Sequence, residues 1–297
     1  VPRRAGDRGA VETGCLPNLL PGGRPVGDAA ARVDLAAAWG VDSLPEQAGL
    51  SSSEILAGLV AGDLGALVVG GVDPADVVLD KEAREALKTA FVVSLEVRTS
   101  AFTELADVVF PVAPSSDKAG FFVNWEGRVR LFGKVLDSAG SLPDVRILAG
   151  IAEESGRAIG LRTTEQVGAE MAQVGPWEGA RPAAPTVGAT GAASGGLILA
   201  SWKQLLDDGR MQDGDEHLRA TARPPVIVVG TSTLAGLGVA EGAEVLLTGP
   251  LGSIRLPVAV GEVADGVVWA PASAPGAAVR ELVGPAGSVV TLEGGSK

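Results

Sequence analysis

The sequence predicts an α/β protein in which a parallel, Rossmann-like α/β domain precedes a small β-barrel domain. Short apolar runs at residues 66–69, 91–95 and 108–110 alternate with helical patterns, as in a parallel sheet with helical crossovers. From residue 197 onward, short apolar runs are separated by Gly or Pro, which favours a small barrel. Residues 173–196, between the two patterns, have the Gly, Pro and Ala composition of a linker.

We therefore divide the chain into four segments. Residues 1–52 form an N-terminal segment that we expect to be mainly extended, because it is rich in Pro, Gly and Arg. Its alanine-rich stretch from Asp28 to Trp39 is the exception and predicts one helix. Residues 53–172 form the α/β domain, residues 173–196 the linker, and residues 197–297 the barrel domain. The chain begins at Val1 and no signal-peptide pattern follows, so we expect a processed chain or a fragment, and favour a fragment.

Local signals predict where the helices of the α/β domain begin and end. Ser51, Ser52 and Ser53 offer N-cap hydroxyls for a helix with Glu54 near the positive end of its dipole, and Gly62 is the expected stop. Asp80 and Asp144 are the expected caps of two later helices. Because each strand is a continuous apolar run, we expect helices to cover both faces of the sheet.

Composition excludes several classes of function. The net charge is -12, which argues against nucleic acid and against an anionic membrane surface as partners. No run approaches the roughly 20 uninterrupted apolar residues of a spanning helix, so we expect no direct insertion into a membrane. With Cys15 as the only cysteine and one histidine in the chain, neither a disulfide nor a cysteine-ligated iron–sulfur cluster can form within it. We expect no metal ligands and no catalytic residues.

Glycines and polar residues follow the three predicted strands. In open parallel sheets, ligands bind beyond the carboxyl ends of the strands, so these residues are candidates for a pocket. A nucleotide can approach a glycine backbone closely, but a tight turn needs glycines just as much. The candidates are Gly70, Gly71, Asp73, Glu96, Thr99 and Ser115.

The segment from residue 106 to residue 132 has an unusual arrangement of charges. Glu126 and Arg128 flank Gly127 among bulky apolar residues, and side chains two positions apart on a strand share a face. The pair is either a solvated edge pair, or a pair that holds the loop against the domain beneath it or faces a ligand. We expect Arg128 to be at least partly buried and paired with a carboxylate, with Glu126 the leading candidate.

The strings ADVVFPVAP and DKAGFFVNWEGRVRLF resemble a signature of the molybdopterin oxidoreductase superfamily. In that family a strand ending in ADVVLP precedes E-G-T-x-x-N-x-E-G-R. The variant FVNWEGRV is most similar to the family of the G subunit, the large peripheral-arm iron–sulfur subunit of the proton-pumping NADH–quinone oxidoreductase (respiratory complex I). The motif residues here are Asp107, Asn124, Glu126, Gly127 and Arg128.

The barrel region carries a second resemblance. The run LAGLGVAEGAEVLLTGPLGSIRLPVAV resembles the C-terminal double-psi barrel domain of the same superfamily, which binds the molybdopterin dinucleotide in cofactor-loaded members. The resemblance thus extends from about residue 54 to about residue 293, while residues 1–50 add only a weak match.

The resemblance implies a structural role without chemistry of its own, in a protein that passes electrons from NADH through iron–sulfur clusters to quinone. It places those clusters in a cysteine-rich N-terminal part that is absent from this sequence. It implies that the strand-end residues line a vestigial pocket without a cofactor. The implied partners are other peripheral-arm subunits of complex I, and the implied location is cytoplasmic, peripheral to the cytoplasmic membrane of a bacterium.

Two alternatives belong to other classes. The chain could be a fragment of a molybdopterin-dependent oxidoreductase such as a formate dehydrogenase or nitrate reductase, with a molybdopterin near Gly71, Glu96 and Ser115. Against this stands the lack of an obvious dinucleotide-binding set of Arg, Asn and His. A stand-alone binding module is the other alternative, and the start at Val1 disfavours it. Clustered C-x-x-C motifs upstream of Val1 would favour the complex I family.

Overall fold

The computed structural model describes residues 6–72, 77, 79–137, 140–181, 195–209, 212 and 214–294. The chain consists of two compact units. The first comprises Val1–Gly71 with Ala86–Pro185, and the second comprises Val72–Glu85 with Thr186–Lys297. The mixed α/β architecture with a parallel sheet and a separate barrel, predicted from the sequence, is confirmed.

The N-terminal segment is more regular than the mainly extended chain predicted for it. Its alanine-rich stretch forms a helix because the Asp28 carboxylate accepts hydrogen bonds from Ala30 N and Ala31 N. The helix ends at Gly40, which adopts a left-handed φ of 64°. The elements of this segment are α1 (Asp7–Glu12), the antiparallel strands β1 (Leu19–Leu20) and β2 (Arg24–Pro25), and α2 (Ala29–Trp39).

The predicted parallel sheet has three strands that pair in chain order. Both pairings are parallel, so helical segments connect consecutive strands, as the alternating pattern predicts. Gly70 pairs with Leu95, and Glu96 pairs with Pro111, at the carboxyl ends of the strands. The elements are α3 (Ser52–Ala61), β3 (Ala66–Gly70), α4 (Lys81–Leu87), β4 (Phe91–Glu96), α5 (Ala101–Leu105) and β5 (Val108–Pro111).

The helix caps were mostly predicted correctly. Ser51 and Glu54 form a reciprocal capping box, and Gly62 ends α3 in the left-handed conformation. Asp80 accepts a hydrogen bond from Ala83 N at 2.8 Å, as an N-cap does. The prediction for Asp144 was wrong, because Pro143 is the N-cap of the following helix and Asp144 is its first residue.

The expectation that both faces of the sheet are covered was also wrong for this chain. Leu95, Val112 and Ile147 form a buried cluster, so one face is covered near β4 and β5. On β3, however, Val68 is 59% exposed, and Val109 on β5 is exposed as well. A continuous apolar strand sequence does not guarantee that both faces of the strand are buried. The three strands have more surface than the segments that connect them can cover.

A β-hairpin and two helices complete the first unit. The hairpin consists of β6 (Gly120–Val123) and β7 (Val129–Phe132), and the helices are α6 (Asp144–Glu154) and α7 (Thr164–Val174). Because α7 continues through Val174 and Trp177 N donates to Gly22 O at 3.0 Å, the first residues of the predicted linker contact the N-terminal segment. Residues 182–194 lie outside the described residues.

The second unit is built around a closed six-stranded barrel with the order β10-β11-β9-β12-β8-β13. Two of its pairings are parallel and the others antiparallel, which excludes an up-and-down barrel and fits the predicted double-psi type. Inward-facing Leu199, Ile227 and Val268 are fully buried in its core. The elements are β8 (Leu197–Trp202), α8 (Glu216–Arg219), β9 (Ile227–Val229), α9 (Thr231–Leu237), β10 (Glu244–Gly249), β11 (Gly252–Val260), β12 (Val267–Pro271), α10 (Val279–Leu282) and β13 (Val289–Gly294).

Candidate functional site

The carboxyl ends of β3, β4 and β5 meet at one edge of the sheet, and they bring several of the predicted pocket residues together. Gly71 N donates to Leu95 O at 3.2 Å, and Val112 N donates to Glu96 O at 3.0 Å. These bonds place Gly70, Gly71 and Glu96 side by side. Asp73, also predicted here, lies outside the described residues.

Glycine is favoured at positions 70 and 71 for different structural reasons. A Cβ at Gly70 would come within 3.3 Å of Leu95 Cβ, so Gly70 permits close approach of β3 and β4. Gly71 has a φ of +63°, which side-chain-bearing residues rarely adopt, and the space around it is open. Both glycines are therefore accounted for by the strand packing and the turn, without a ligand.

The remaining predicted pocket residues are surface groups. Thr99 and Ser115 are both exposed, on the segments that follow β4 and β5. Next to Thr99, Ser100 caps α5 by accepting a hydrogen bond from Thr103 N at 3.2 Å. The edge is thus lined by short turns and by a helix of five residues, too short to provide an anion site at its N-terminus.

The charges described near this edge are mixed. Lys118 Nζ lies 2.6 Å from Asp144 Oδ2, so this cation has a partner within the protein. Arg98 is an exposed loop residue, Glu96 places a carboxylate at the end of β4, and the buried Asp117 places another on the segment after β5. The phosphates of a pterin dinucleotide need converging donors and cations. The described side chains do not match that donor set.

Asp107 connects two strands of the sheet. Its carboxylate accepts a hydrogen bond from Val92 N at 2.7 Å, and its own N–H donates to Val92 O at 2.9 Å. Asp107 therefore fixes the start of β5 against β4, which is a structural role.

Asn124 organises the turn of the hairpin. Its Oδ1 accepts hydrogen bonds from Glu126 N at 3.0 Å and from Arg128 N at 2.9 Å. Gly127 completes the turn with a φ of +83°. An Asn that binds backbone N–H groups ahead of it is a common way to stabilise a turn, so this part of the motif maintains the local backbone.

The charged pair of the motif forms, but at the surface. Arg128 Nε lies 3.1 Å from Glu126 Oε2, which confirms the predicted pairing. The Arg128 side chain is 61% exposed, so the pair lies at the surface, as in the alternative of a solvated edge pair. The apolar neighbours in the sequence do not enclose it, because alternate residues of a two-stranded hairpin point to opposite faces.

Sequence reasoning missed the buried arginine of the first unit, Arg24. Its guanidinium donates to Asp34 Oδ2 at 2.6 and 2.8 Å, and to the carbonyl oxygens of Pro21, Val174 and Gly175. The side chain thus links the N-terminal segment to the C-terminal end of α7. No local signal distinguishes it, because two of its partners are about 150 positions away in the sequence.

A cavity of about 540 Å³ lies beside the turn of the hairpin. Arg8 and Arg181 both pair with Glu12, at 3.7 and 3.3 Å, and Glu170 accepts a hydrogen bond from Trp39 Nε1 at 3.0 Å. These charged and polar groups already bind each other. Their side chains therefore do not form a cluster of like charges that could bind an oppositely charged ligand.

The described residues show neither a metal cluster nor a membrane-spanning helix. In the part of the chain that the structure describes, no three His, Cys, Asp or Glu side chains converge as metal ligands. No helix within that part is both long enough and apolar enough to cross a bilayer.

Comparison with known proteins gives consistent matches. Residues 15–154 match the molybdopterin oxidoreductase family. The G subunit of the NADH-quinone oxidoreductase of Mycobacterium bovis is 46% identical over 306 residues, covering 100% of this chain and 38% of the relative. The corresponding G subunit of Streptomyces coelicolor is 42% identical over 293 residues, covering 96% of this chain and 35% of the relative. This sequence therefore spans little more than a third of the length of these relatives.

A solved structure shows the same fold. Acetylene hydratase from Pelobacter acetylenicus superimposes with a TM-score of 0.51 over 81% of this chain and 42% of that chain, at 14% identity. At that identity the likeness concerns the fold alone. Along its whole length the chain is similar to G subunits of NADH-quinone oxidoreductases, and its residues 15–154 match the molybdopterin oxidoreductase family.

Proposed function

We propose that this chain is a structural portion of the G subunit of a proton-translocating NADH–quinone oxidoreductase, with no chemistry of its own. The observation that carries the proposal is the 46% identity to such a G subunit along the entire chain. The motif residues support it, because Asp107, Asn124 and Gly127 each maintain the backbone around them. The portion supports electron transfer by bracing the parts of the complex that carry redox centres.

The redox centres of the complete subunit lie outside these residues under this proposal. One cysteine cannot ligate an iron–sulfur cluster, so the clusters belong to the rest of the subunit. The strand-end pocket is vestigial and holds no molybdenum cofactor. The pairing of Lys118 with Asp144, and the carboxylates of Glu96 and Asp117, support this.

The partners follow from the same proposal. They are the rest of the G subunit and other peripheral-arm subunits of complex I, on the cytoplasmic side and peripheral to the cytoplasmic membrane of a bacterium. The molybdopterin-dependent alternative, a formate dehydrogenase or nitrate reductase fragment, is less favoured because the match along the whole chain is to the G subunits.

The test is made on the full-length subunit purified within its complex from its own organism. We expect stoichiometric iron, NADH–quinone activity of the complex, no molybdenum or tungsten by elemental analysis, and no pterin fluorescence after oxidation. Stoichiometric molybdenum and pterin would overturn the proposal and establish the molybdopterin-dependent alternative.

A further inference from the structure

The β6–β7 hairpin and the segment after it expose an unusual number of apolar side chains. Leu131 and Val135 are both 81% exposed, and four others between residues 122 and 136 are more than half exposed. Single exposed apolar residues are normal, but apolar residues clustered on one surface mark an interaction site. We name this set the hairpin surface: Phe122, Trp125, Val129, Leu131, Val135 and Leu136.

The hairpin geometry distributes these side chains over both of its faces. Val129 and Leu131 are two positions apart on β7, so they share one face of the hairpin. On the opposite face, the ring of Phe122 stacks on Phe132 with 4.9 Å between centroids. Apolar side chains are therefore exposed on both faces of the hairpin. A hairpin surrounded only by solvent would have no reason to carry them.

Each strand of the hairpin also has one edge without a strand partner in the part of the chain that the structure describes. Among the described residues, β6 and β7 pair only with each other, which leaves two open strand edges. A two-stranded hairpin is at best marginally stable unless it packs on something. One anchor is visible, since a Cβ at Gly9 of α1 would come within 2.8 Å of Val123 Cβ. Gly127 also lies close to Arg8 of α1, but Phe122 and Leu131 remain largely exposed.

The charges on the hairpin indicate the chemistry of what covers it. Arg130 is exposed, and its guanidinium donates to Val129 O at 3.2 Å without forming an ion pair among the described residues. Arg128 is 61% exposed beside Glu126. A complementary surface is therefore apolar at its centre and carries carboxylates at its rim.

We propose that the hairpin surface docks against polypeptide of the same subunit that lies outside these 297 residues. The inference rests on the proposed function and adds to it the surface through which this portion braces the rest of the G subunit. The chain spans 38% of the Mycobacterium bovis relative, so the remainder of such a protein is long enough to supply a docking surface. Covalent connection favours this occupant over a separate subunit, because it raises the effective concentration.

Hydroxyl-radical oxidation of tryptophan tests the proposal with internal controls. Trp125 is 60% exposed, against 39% for Trp39 and 41% for Trp202, so exposure within this chain alone makes Trp125 the fastest of the three to oxidise. In the isolated, monomeric full-length subunit we expect Trp125 to oxidise several-fold more slowly than Trp39 and Trp202. Mass spectrometry of the tryptophan-containing peptides gives the three rates.

Other outcomes overturn the proposal. If Trp125 oxidises fastest in the isolated subunit and slowly only in the assembled complex, a different subunit covers the surface. If it becomes slow only as the subunit dimerises, a second copy covers it. If it is fastest in every preparation, the surface is free. With iron present and molybdenum absent, each of these results removes the docking proposal and leaves the proposed function intact.

A pair of variants separates docking from other causes of protection. Leu131→Asp in the full-length subunit places a charge on the surface and should raise the Trp125 oxidation rate several-fold. Leu205→Asp is the matched control, since Leu205 is 94% exposed in the second unit, and it should leave the Trp125 rate unchanged. Equal rates in both variants would contradict the proposal. If the Leu131 variant fails to fold, the comparison of tryptophans in the unmodified subunit still decides.

Discussion

Gly127 occupies the left-handed region of the hairpin turn with a φ of +83°, where a side chain is strained. A Cβ there would also lie 3.3 Å from Arg8 Nη2, the mobile end of a long side chain. We expect Gly127→Ala to lower the free energy of unfolding by about 1–2 kcal/mol, the cost of the left-handed conformation. Urea denaturation of the two proteins measures this difference in the free energy of unfolding.

Gly133 is the control for that substitution. It has no positive φ, and a Cβ there would meet nothing within 4 Å. Gly133→Ala should therefore be neutral or stabilising by up to about 1 kcal/mol, because alanine restricts the unfolded chain. Equal losses of unfolding free energy in Gly127→Ala and Gly133→Ala would show that the left-handed conformation of the turn is not the cause of the destabilisation.

Arg24 and Arg128 allow a direct comparison of a buried and an exposed arginine. Arg24 is 3% exposed and binds three carbonyl oxygens and Asp34, whose side chain is 50% exposed, so Arg24→Met should cost about 1–3 kcal/mol, as leaving acceptors without their donor does. Arg128→Met should cost at most about 1 kcal/mol, because the pair with Glu126 is exposed to solvent. Thermal unfolding of both variants gives the ranking, and the reverse order would refute it.

The helix α3 shows how an element depends on its cap. The Ser51 hydroxyl and the Ser51 N–H both hydrogen-bond Glu54, while Ser51 Oγ accepts from Glu54 N. Ser51→Ala should destabilise the protein by about 1 kcal/mol, as loss of an N-cap does. Ser52→Ala is the control, because Ser52 takes no part in this capping box. Equal effects of the two substitutions would exclude the cap as the cause.

The same cap gives a pH dependence. Hydrogen bonds from the Ser51 hydroxyl, and then from the Ser51 N–H, hold the pKa of Glu54 below its usual range. Since the folded state binds this proton less tightly than the unfolded state, Glu54 stabilises the fold above the ordinary carboxyl pKa. That contribution is lost as the pH falls through the lowered pKa. NMR titration should show the pKa of Glu54 rising in Ser51→Ala, and an unchanged value would contradict this account.

At the scale of the whole molecule, the composition of residues 173–196 predicts an exposed connection between the two domains. Because Trp177 N bonds Gly22 O, and Arg181 pairs with Glu12, we expect the first cleavage within residues 182–194 rather than at the start of this stretch. Limited proteolysis followed by mass spectrometry locates the site. Primary cleavage within residues 54–137 would contradict the division into domains.

The sequence by itself determined the features that depend on neighbouring residues. The capping box at Ser51, the left-handed stop at Gly62 and the parallel order of three apolar strands all follow from local hydrogen bonds, backbone preferences and periodicity. The carboxyl ends of the three strands meet at one sheet edge, as expected of parallel strands, and bring Gly70, Gly71 and Glu96 together; that this edge forms a pocket stays a prediction. The hairpin motif also pointed to a family, which whole-chain similarity then confirmed.

Only the tertiary structure decided which side chains are enclosed. Arg128 lies among apolar residues in the sequence yet is exposed, whereas Arg24 lies in irregular Gly- and Pro-rich sequence yet is buried. The reason is that burial depends on segments distant in the chain. The C-terminal end of α7, about 150 positions away, encloses Arg24, whereas Arg128 stays 61% exposed. For the same reason the apolar sequence of β3 did not reveal that Val68 faces outward.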